Sequence, residues 1–190
     1  MNPSVDVKKV KIGVVGAGSW GTALANLLAV KGFDVDHWVY EADVLDQMVT
    51  ERENPRFLPG VRLSDHLNPS GDLLSVVAGK EMILVVTPSH VTRQTLVRCG
   101  AAIGSSAVVV SASKGIENQT HLTMSGVLSQ VIPGLTGDRL AVLTGPSFAK
   151  EVARQVATVV TVASANAETA AFVQQLFAMP YFRVYTLDDM

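Results

Sequence analysis

The stretch Val10-Lys11-Ile12-Gly13-Val14-Val15-Gly16-Ala17-Gly18-Ser19-Trp20-Gly21-Thr22-Ala23-Leu24-Ala25 decides the fold. It opens as a short β-rich run and ends in a glycine turn. From Ser19 to Lys31 the spacing is helical: Ala23, Leu24, Leu27 and Leu28 share a face, and Gly32 stands where a helix stops. Phe33 to Val39 reads as a second strand. Strand, G-x-G-x-x-G turn, helix and strand at these distances are the pattern of a dinucleotide-binding βαβ unit. In such a unit Gly16 makes the tight turn, Gly18 lets the backbone approach a pyrophosphate, and Gly21 lets the helix pack closely. The helix start offers free N–H groups and the positive end of its dipole to phosphates.

Working outward, Asp43 to Thr50 reads as a helix with Val44, Leu45 and Met48 on one side, and Asn54-Pro55-Arg56-Phe57-Leu58-Pro59-Gly60 as a loop, by its prolines and glycine. Leu73 to Gly79 reads as a short helix. Met82-Ile83-Leu84-Val85-Val86, Ala107-Val108-Val109-Val110 and Leu140-Ala141-Val142-Leu143 are continuous apolar runs, as strands buried on both faces should be. Helical stretches near 91–102 and 121–131 separate them. Val156 to Ala163 and Phe182 to Tyr185 read as further strands around a helix at about 167–178. The alternation predicts an α/β fold with a doubly wound, mostly parallel sheet of the Rossmann type. It also predicts one dinucleotide-binding domain over residues 10–190 behind a tail of residues 1–9.

Bulk properties narrow the function. Net charge is −2, charged residues are 17%, and no basic patch stands out, which argues against nucleic acid. The one cysteine, Cys99, cannot form an internal disulfide and reads as a small buried hydrophobe in a helix. No Cys/His cluster suggests a metal. No apolar run of about 18 residues predicts a membrane span. Glycines interrupt the first apolar run, which argues against a signal peptide. A cytoplasmic protein is the default expectation, with oligomeric state open, a homodimer included.

The candidate site lies at one edge of the sheet. Glu41 follows Gly21 by twenty residues, where a carboxylate hydrogen-bonds the ribose 2′-hydroxyl of NAD and repels a 2′-phosphate. Tyr40 stands beside it. Asp36 is a rival inside the strand, and a solvated loop glutamate is the plainer alternative for Glu41. The other parallel strands end in Thr87-Pro88-Ser89-His90, Ser111-Ala112-Ser113-Lys114-Gly115 and Thr144-Gly145-Pro146-Ser147-Phe148-Ala149. Hydroxyls, bare backbone and one cation gather there, which suits a small anionic substrate. Lys114 is the only lysine at a carboxyl strand end. His90 reads as a hydrogen-bonded structural histidine rather than an acid/base group, and Trp20 either covers the pyrophosphate or packs the first helix.

Together these segments, with Ser113-Lys114-Gly115-Ile116-Glu117, Gly145-Pro146-Ser147-Phe148-Ala149-Lys150-Glu151-Val152 and Phe182-Arg183-Val184-Tyr185-Thr186, resemble NAD(P)-dependent glycerol-3-phosphate dehydrogenases of the two-domain kind. The resemblance runs from Val10 onward. It implies reversible hydride transfer between NAD(P)H and dihydroxyacetone phosphate, giving sn-glycerol 3-phosphate for glycerophospholipid synthesis. It implies that Ser19 and Trp20 contact the cofactor, that Lys114 contacts cofactor and substrate, that Gly145 and Ser147 line the substrate site, and that Ala149 lies against the nucleotide. With Gly16, Gly18, Gly21, Tyr40, Glu41 and Pro88, these complete the expected cofactor and substrate contacts.

Two departures qualify the expectation. Bacterial members often place a basic residue after the second strand to hold the 2′-phosphate of NADP(H). Here the stretch is Trp38-Val39-Tyr40-Glu41, which points to NAD(H), with NADP(H) as the alternative. In the family a helical domain also follows, carrying the lysine that acts as general acid/base. Such a domain is absent from this sequence, which should leave an apolar face near Phe172, Leu176, Phe177 and Tyr181. The rival readings are another Rossmann-type dehydrogenase, of the 6-phosphogluconate or hydroxyacid type, and a dinucleotide-binding redox sensor without chemistry.

Overall fold

The structure, a computed structural model, describes residues 10–189. The tail assigned to residues 1–9 lies outside the described residues, as does Met190.

Among the described residues, ten strands and seven α-helices follow one another along the chain. They are β1 (Ile12–Val15), α1 (Ser19–Val30), β2 (Val35–Trp38), α2 (Ala42–Thr50), β3 (Glu53–Asn54), β4 (Leu58–Arg62), β5 (Leu67–Ser70), α3 (Leu73–Val77) and β6 (Met82–Val85), then α4 (Ser89–Val97), β7 (Val108–Ser111), α5 (Met124–Val131), β8 (Leu140–Thr144), α6 (Ala149–Ala153), β9 (Thr158–Ala163), α7 (Ala167–Phe177) and β10 (Phe182–Leu187). Eight strands form one sheet in the order β10-β9-β8-β7-β6-β1-β2-β5. From β5 to β8 every pairing is parallel; β9 runs antiparallel to β8, and β10 parallel to β9. The chain winds outward from β1 through β2 to β5, then returns to β6 and winds the other way. The switch between β1 and β6 opens a crevice at the carboxyl edge, where such sheets bind ligands.

Alternate residues of the central strands feed two cores. Ile12, Val14, Met82, Leu84 and Val110 pack with α1, α2 and α7 on one face. Val15, Ile83, Val85 and Val109 pack against residues of α3 and α5 and the segment around Cys99 on the other. Both faces are covered, so the strands read as unbroken apolar runs.

Several elements differ from the sequence reading. The segment expected to be a loop at 54–60 lies within the β3–β4 hairpin. Fully buried Asn54 explains its order: the side-chain amide donates to the Ala17 carbonyl and to Thr22 Oγ1, both at 2.9 Å. β5 was not anticipated; it is a polar edge strand carrying Pro69, tolerated there because an edge has one side without a partner. Cys99 is buried as expected, but between α4 and a 3₁₀ turn rather than inside a helix. Burial pushes its thiol up to about 11. The expected apolar face near α7 is also corrected. Thr169, Ala170, Val173, Leu176 and Phe177 recur at helical spacing and turn inward, so Leu176 and Phe177 are fully buried. Phe172 and Tyr181 are half-buried against the core. Exposed apolar side chains lie elsewhere; among them are Val159, Tyr185 and Leu187 on β9 and β10, and Ile116 and Phe148 beyond β7 and β8.

Candidate dinucleotide site

The turn after β1 is built around close backbone approaches. Gly16 has φ +117, and a Cβ there would stand 2.7 Å from the Val86 carbonyl oxygen. A Cβ on Gly21 would stand 2.0 Å from the Gly16 carbonyl oxygen, so any side chain at 21 would push α1 off the turn. Gly18 differs: a Cβ there meets nothing within 4 Å among the described residues. It borders open space at the start of α1, where no side chain caps the helix. Free N–H groups and an open approach are what an anionic group needs at a helix N-terminus.

β2 fixes this turn from behind. The Gly16 N–H donates to the Trp38 carbonyl at 3.4 Å, and fully buried His37 meets the Gly16 carbonyl through Nε2 at 2.9 Å. A carbonyl only accepts, so Nε2 carries the proton and the ring is the neutral Nε2–H tautomer. Burial lowers the His37 pKa to about 4, against a smaller opposing effect of the Gly16 bond. Among the described residues its Nδ1 has no hydrogen-bond partner. The sequence reading did not single out His37, because its importance arises from a contact across 21 positions.

In front of the turn lies a cavity of about 600 Å³. That is within the roughly 300–1,000 Å³ of small-molecule and cofactor sites. Gly16, Gly18, Ser19, Trp20, Gly21, Tyr40, Glu41, Pro88 and Lys114 all line it. They come from the carboxyl ends of β1, β2, β6 and β7, four parallel neighbours, which explains how residues far apart in sequence meet. Trp20 both lines the cavity and packs against the core, so its two readings are compatible. Its indole lies beneath the Lys114 ammonium, with Nζ 6.0 Å from the ring centroid. At the other end Trp38 and Tyr40 meet edge to face, centroids 5.8 Å apart.

Other expected residues are not in this cavity. Ala149 begins α6, away from the lining. Gly145 and Ser147 follow β8, and the buried Ser147 hydroxyl donates to the Gly145 carbonyl at 3.4 Å. Register puts them on the same sheet edge: Ser111 pairs with Val142, so Lys114 and Gly145 each lie three residues beyond paired positions on adjacent strands. Asp36 is outside the lining and is held by Lys80 at 2.7 Å. His90 is exposed on α4 and is neither a buried structural histidine nor part of the cavity.

The structure adds lining residues that the sequence reading missed. Val91, Gln94 and Thr95 come from α4, Arg98 from its C-terminal cap, and Phe57 from the hairpin tied down by Asn54. Arg98 places a cation on the same cavity as Glu41. Its four-residue spacing from Gln94 on one helix face was the available signal. Among the described residues no cluster of three or more His, Cys, Asp or Glu side chains could hold a metal, and no helix is long and apolar enough to cross a membrane.

Comparison with known proteins agrees with this architecture. The family model described as NAD-dependent glycerol-3-phosphate dehydrogenase N-terminus matches residues 11–170. A relative from Geobacter metallireducens, named glycerol-3-phosphate dehydrogenase [NAD(P)+], is 48% identical over 180 residues, covering 95% of this chain and 54% of its own length. The crystal structure of glycerol-3-phosphate dehydrogenase from Coxiella burnetii superposes with a TM-score of 0.88 at 35% identity, over 96% of this chain and 55% of that one. The Saccharomyces cerevisiae glycerol-3-phosphate dehydrogenase gives 0.83 at 26% identity, over 96% and 57%. The chain thus spans about half the length of the relatives it matches. It belongs to the family of NAD-dependent glycerol-3-phosphate dehydrogenase N-terminal domains.

Proposed function

We propose that residues 10–190 form the dinucleotide-binding domain of a glycerol-3-phosphate dehydrogenase, holding NAD(H) in the cavity between the glycine turn and Lys114. The observation that carries this is the open face of Gly18 at an uncapped helix start, opposite a lysine at the end of β7. In this reading Gly16, Gly18, Ser19 and Gly21 take the pyrophosphate, Glu41 the adenosine ribose, and Trp38 and Tyr40 flank the adenine. Pro88 and Trp20 border the path toward Lys114.

Bound dinucleotide supplies a hydride for the carbonyl carbon of dihydroxyacetone phosphate, and the reverse reaction returns it from sn-glycerol 3-phosphate. The chain's own contribution at the reacting end is the Lys114 charge, which steadies negative charge on the substrate carbonyl oxygen or phosphate. Gly145 and Ser147, on the neighbouring strand end, border the substrate, and Ala149 approaches the nucleotide from α6. The alkoxide needs a proton donor within hydrogen-bond reach. The resemblance gives that part to a lysine in the helical half of such enzymes. The product suits glycerophospholipid synthesis in the cytoplasm.

A second reading of cofactor choice is favoured by Arg98, a cation able to pair with a 2′-phosphate. Parallel fluorescence titrations with NADH and NADPH test both: tighter NADH binding supports Glu41 as the determinant, and tighter NADPH binding supports Arg98.

A further inference from the structure

Helix α4 has two working faces. Val91, Gln94, Thr95 and Arg98 line the cavity. Ser89 and Arg93 face the loop that carries the chain away from Lys114. Arg93 grips both oxygens of Glu117, Nε to Oε1 at 2.7 Å and Nη2 to Oε2 at 2.8 Å. Nη2 also donates to Gln130 Oε1 of α5 at 2.8 Å, and the Thr120 hydroxyl donates to Glu117 Oε2. Glu117 is 8% exposed, and Arg93 first, then Thr120, holds its carboxyl down at about 2. A planar guanidinium on a carboxylate fixes direction as well as distance.

The same loop passes close to α4 one step nearer Lys114. Gly115 has φ +96, and a Cβ there would stand 3.2 Å from Ser89 Oγ. Beyond Glu117 the loop closes on itself: the Glu117 N–H donates to the Leu122 carbonyl and the His121 N–H to the Glu117 carbonyl, both at 2.9 Å. Lys114 lies past the last residue of β7, so no ladder hydrogen bond sets its position. It is held from both sides: Ser113 Oγ donates to the Val85 carbonyl at 3.3 Å just before it, and Glu117 is gripped by Arg93 three residues beyond it.

We propose that the Arg93–Glu117 pair is a positioning device that holds Lys114 over the dinucleotide cavity, making α4 a shared support for cofactor and lysine. The inference rests on the reading that Lys114 touches bound dinucleotide. A pair that merely stabilised the fold would contribute independently of Lys114, and the two roles separate in a double-mutant cycle. NADH is titrated by fluorescence into the 190-residue chain carrying Lys114→Ala, Arg93→Ala, Glu117→Gln or Arg93→Ala with Lys114→Ala, each checked for cooperative thermal unfolding. Every single substitution should weaken NADH by about fivefold to tenfold, and the double variant should bind no more weakly than Lys114→Ala alone. Arg93→Lys, which keeps the charge and loses the fork, should fall between wild type and Arg93→Ala. Glu117→Gln keeps the side-chain shape and carries the test if Arg93→Ala does not fold. Wild-type binding by Arg93→Ala and Glu117→Gln beside a weakened Lys114→Ala would overturn the positioning role and leave the site reading intact, and additive losses in the double variant would do the same. Wild-type binding by Lys114→Ala would overturn the site reading and the inference with it.

Discussion

The Lys114 ammonium stands 6.0 Å from the centroid of the Trp20 ring, so the end of β7 and the start of α1 face one another across a single cavity. If that cation acts on the substrate by charge, Lys114→Ala in the chain fused to the helical half of a relative should lower kcat/KM by about a few hundredfold, the scale of losing one such group. Lys114→Arg should not restore it, because a planar fork does not replace a compact ammonium. Steady-state kinetics with dihydroxyacetone phosphate decide, and activity within about tenfold of wild type would reduce Lys114 to a surface residue.

The two glycines at the start of α1 should fail differently. Gly21→Ala forces a Cβ into the Gly16 carbonyl and should cost about 1–3 kcal/mol, the usual range for overpacking. Gly18→Ala meets nothing within 4 Å among the described residues, so thermal stability should stay within about 1 kcal/mol of wild type while NADH binding weakens. Calorimetry with a parallel binding titration separates them. Normal NADH affinity in Gly18→Ala would mean that no ligand approaches the backbone there.

Cofactor choice turns on two side chains of one cavity. Glu41 should favour NADH over NADPH by at least about tenfold, since a like-charge contact with a 2′-phosphate costs several kcal/mol when partly buried. Glu41→Gln should narrow the gap, and Arg98→Ala should weaken NADPH alone. Equal affinity for both cofactors in the wild-type chain would contradict the Glu41 reading.

His37 gives the fold an acid sensitivity. Its pKa falls from 6.5 to about 4 in the folded protein because burial disfavours the charged ring. The unfolded chain therefore binds more protons between those values, and stability drops as pH falls from about 6.5 toward 4. The whole contribution is present above that window. It amounts to about 3 kcal/mol, because each tenfold change in proton affinity is worth about 1.4 kcal/mol. Urea unfolding from about pH 7.5 to about pH 4 should show this loss, and His37→Leu should flatten it. A wild-type slope unchanged in the variant would place the sensitivity elsewhere.

The sheet's inner strands were legible in the sequence because they are buried on both faces, so burial wrote uninterrupted apolar runs such as Met82 to Val86. The glycine turn was legible because backbone contacts at Gly16 and Gly21 admit no other residue. β5 was not: an edge strand needs no apolar run, and Leu67-Asn68-Pro69-Ser70 carries none. The hairpin was hidden because Pro59 and Gly60 mimic a loop, while its order depends on Asn54 reaching Ala17, 37 positions away. Helix α7 was legible, but its apolar side pointed to a missing partner, although the sheet already covers it. Within the site, Glu41 and Lys114 were legible as strand ends and Arg98 only by its helical spacing from Gln94, whereas His37 matters through a contact that local spacing does not reveal.

The central proposal is that these residues hold a dinucleotide, while the resemblance gives the proton donor to a lysine outside them. Trp20 lines the cavity and reports on it directly. Titrating NADH into the 190-residue chain, with emission read under Trp excitation and absorbance followed after adding dihydroxyacetone phosphate, tests both halves at once. The account predicts saturable energy transfer to NADH, abolished in Gly21→Ala, with no steady loss of absorbance at micromolar protein. Absence of saturable binding would contradict the site, and steady NADH oxidation would mean that the proton donor lies within this chain.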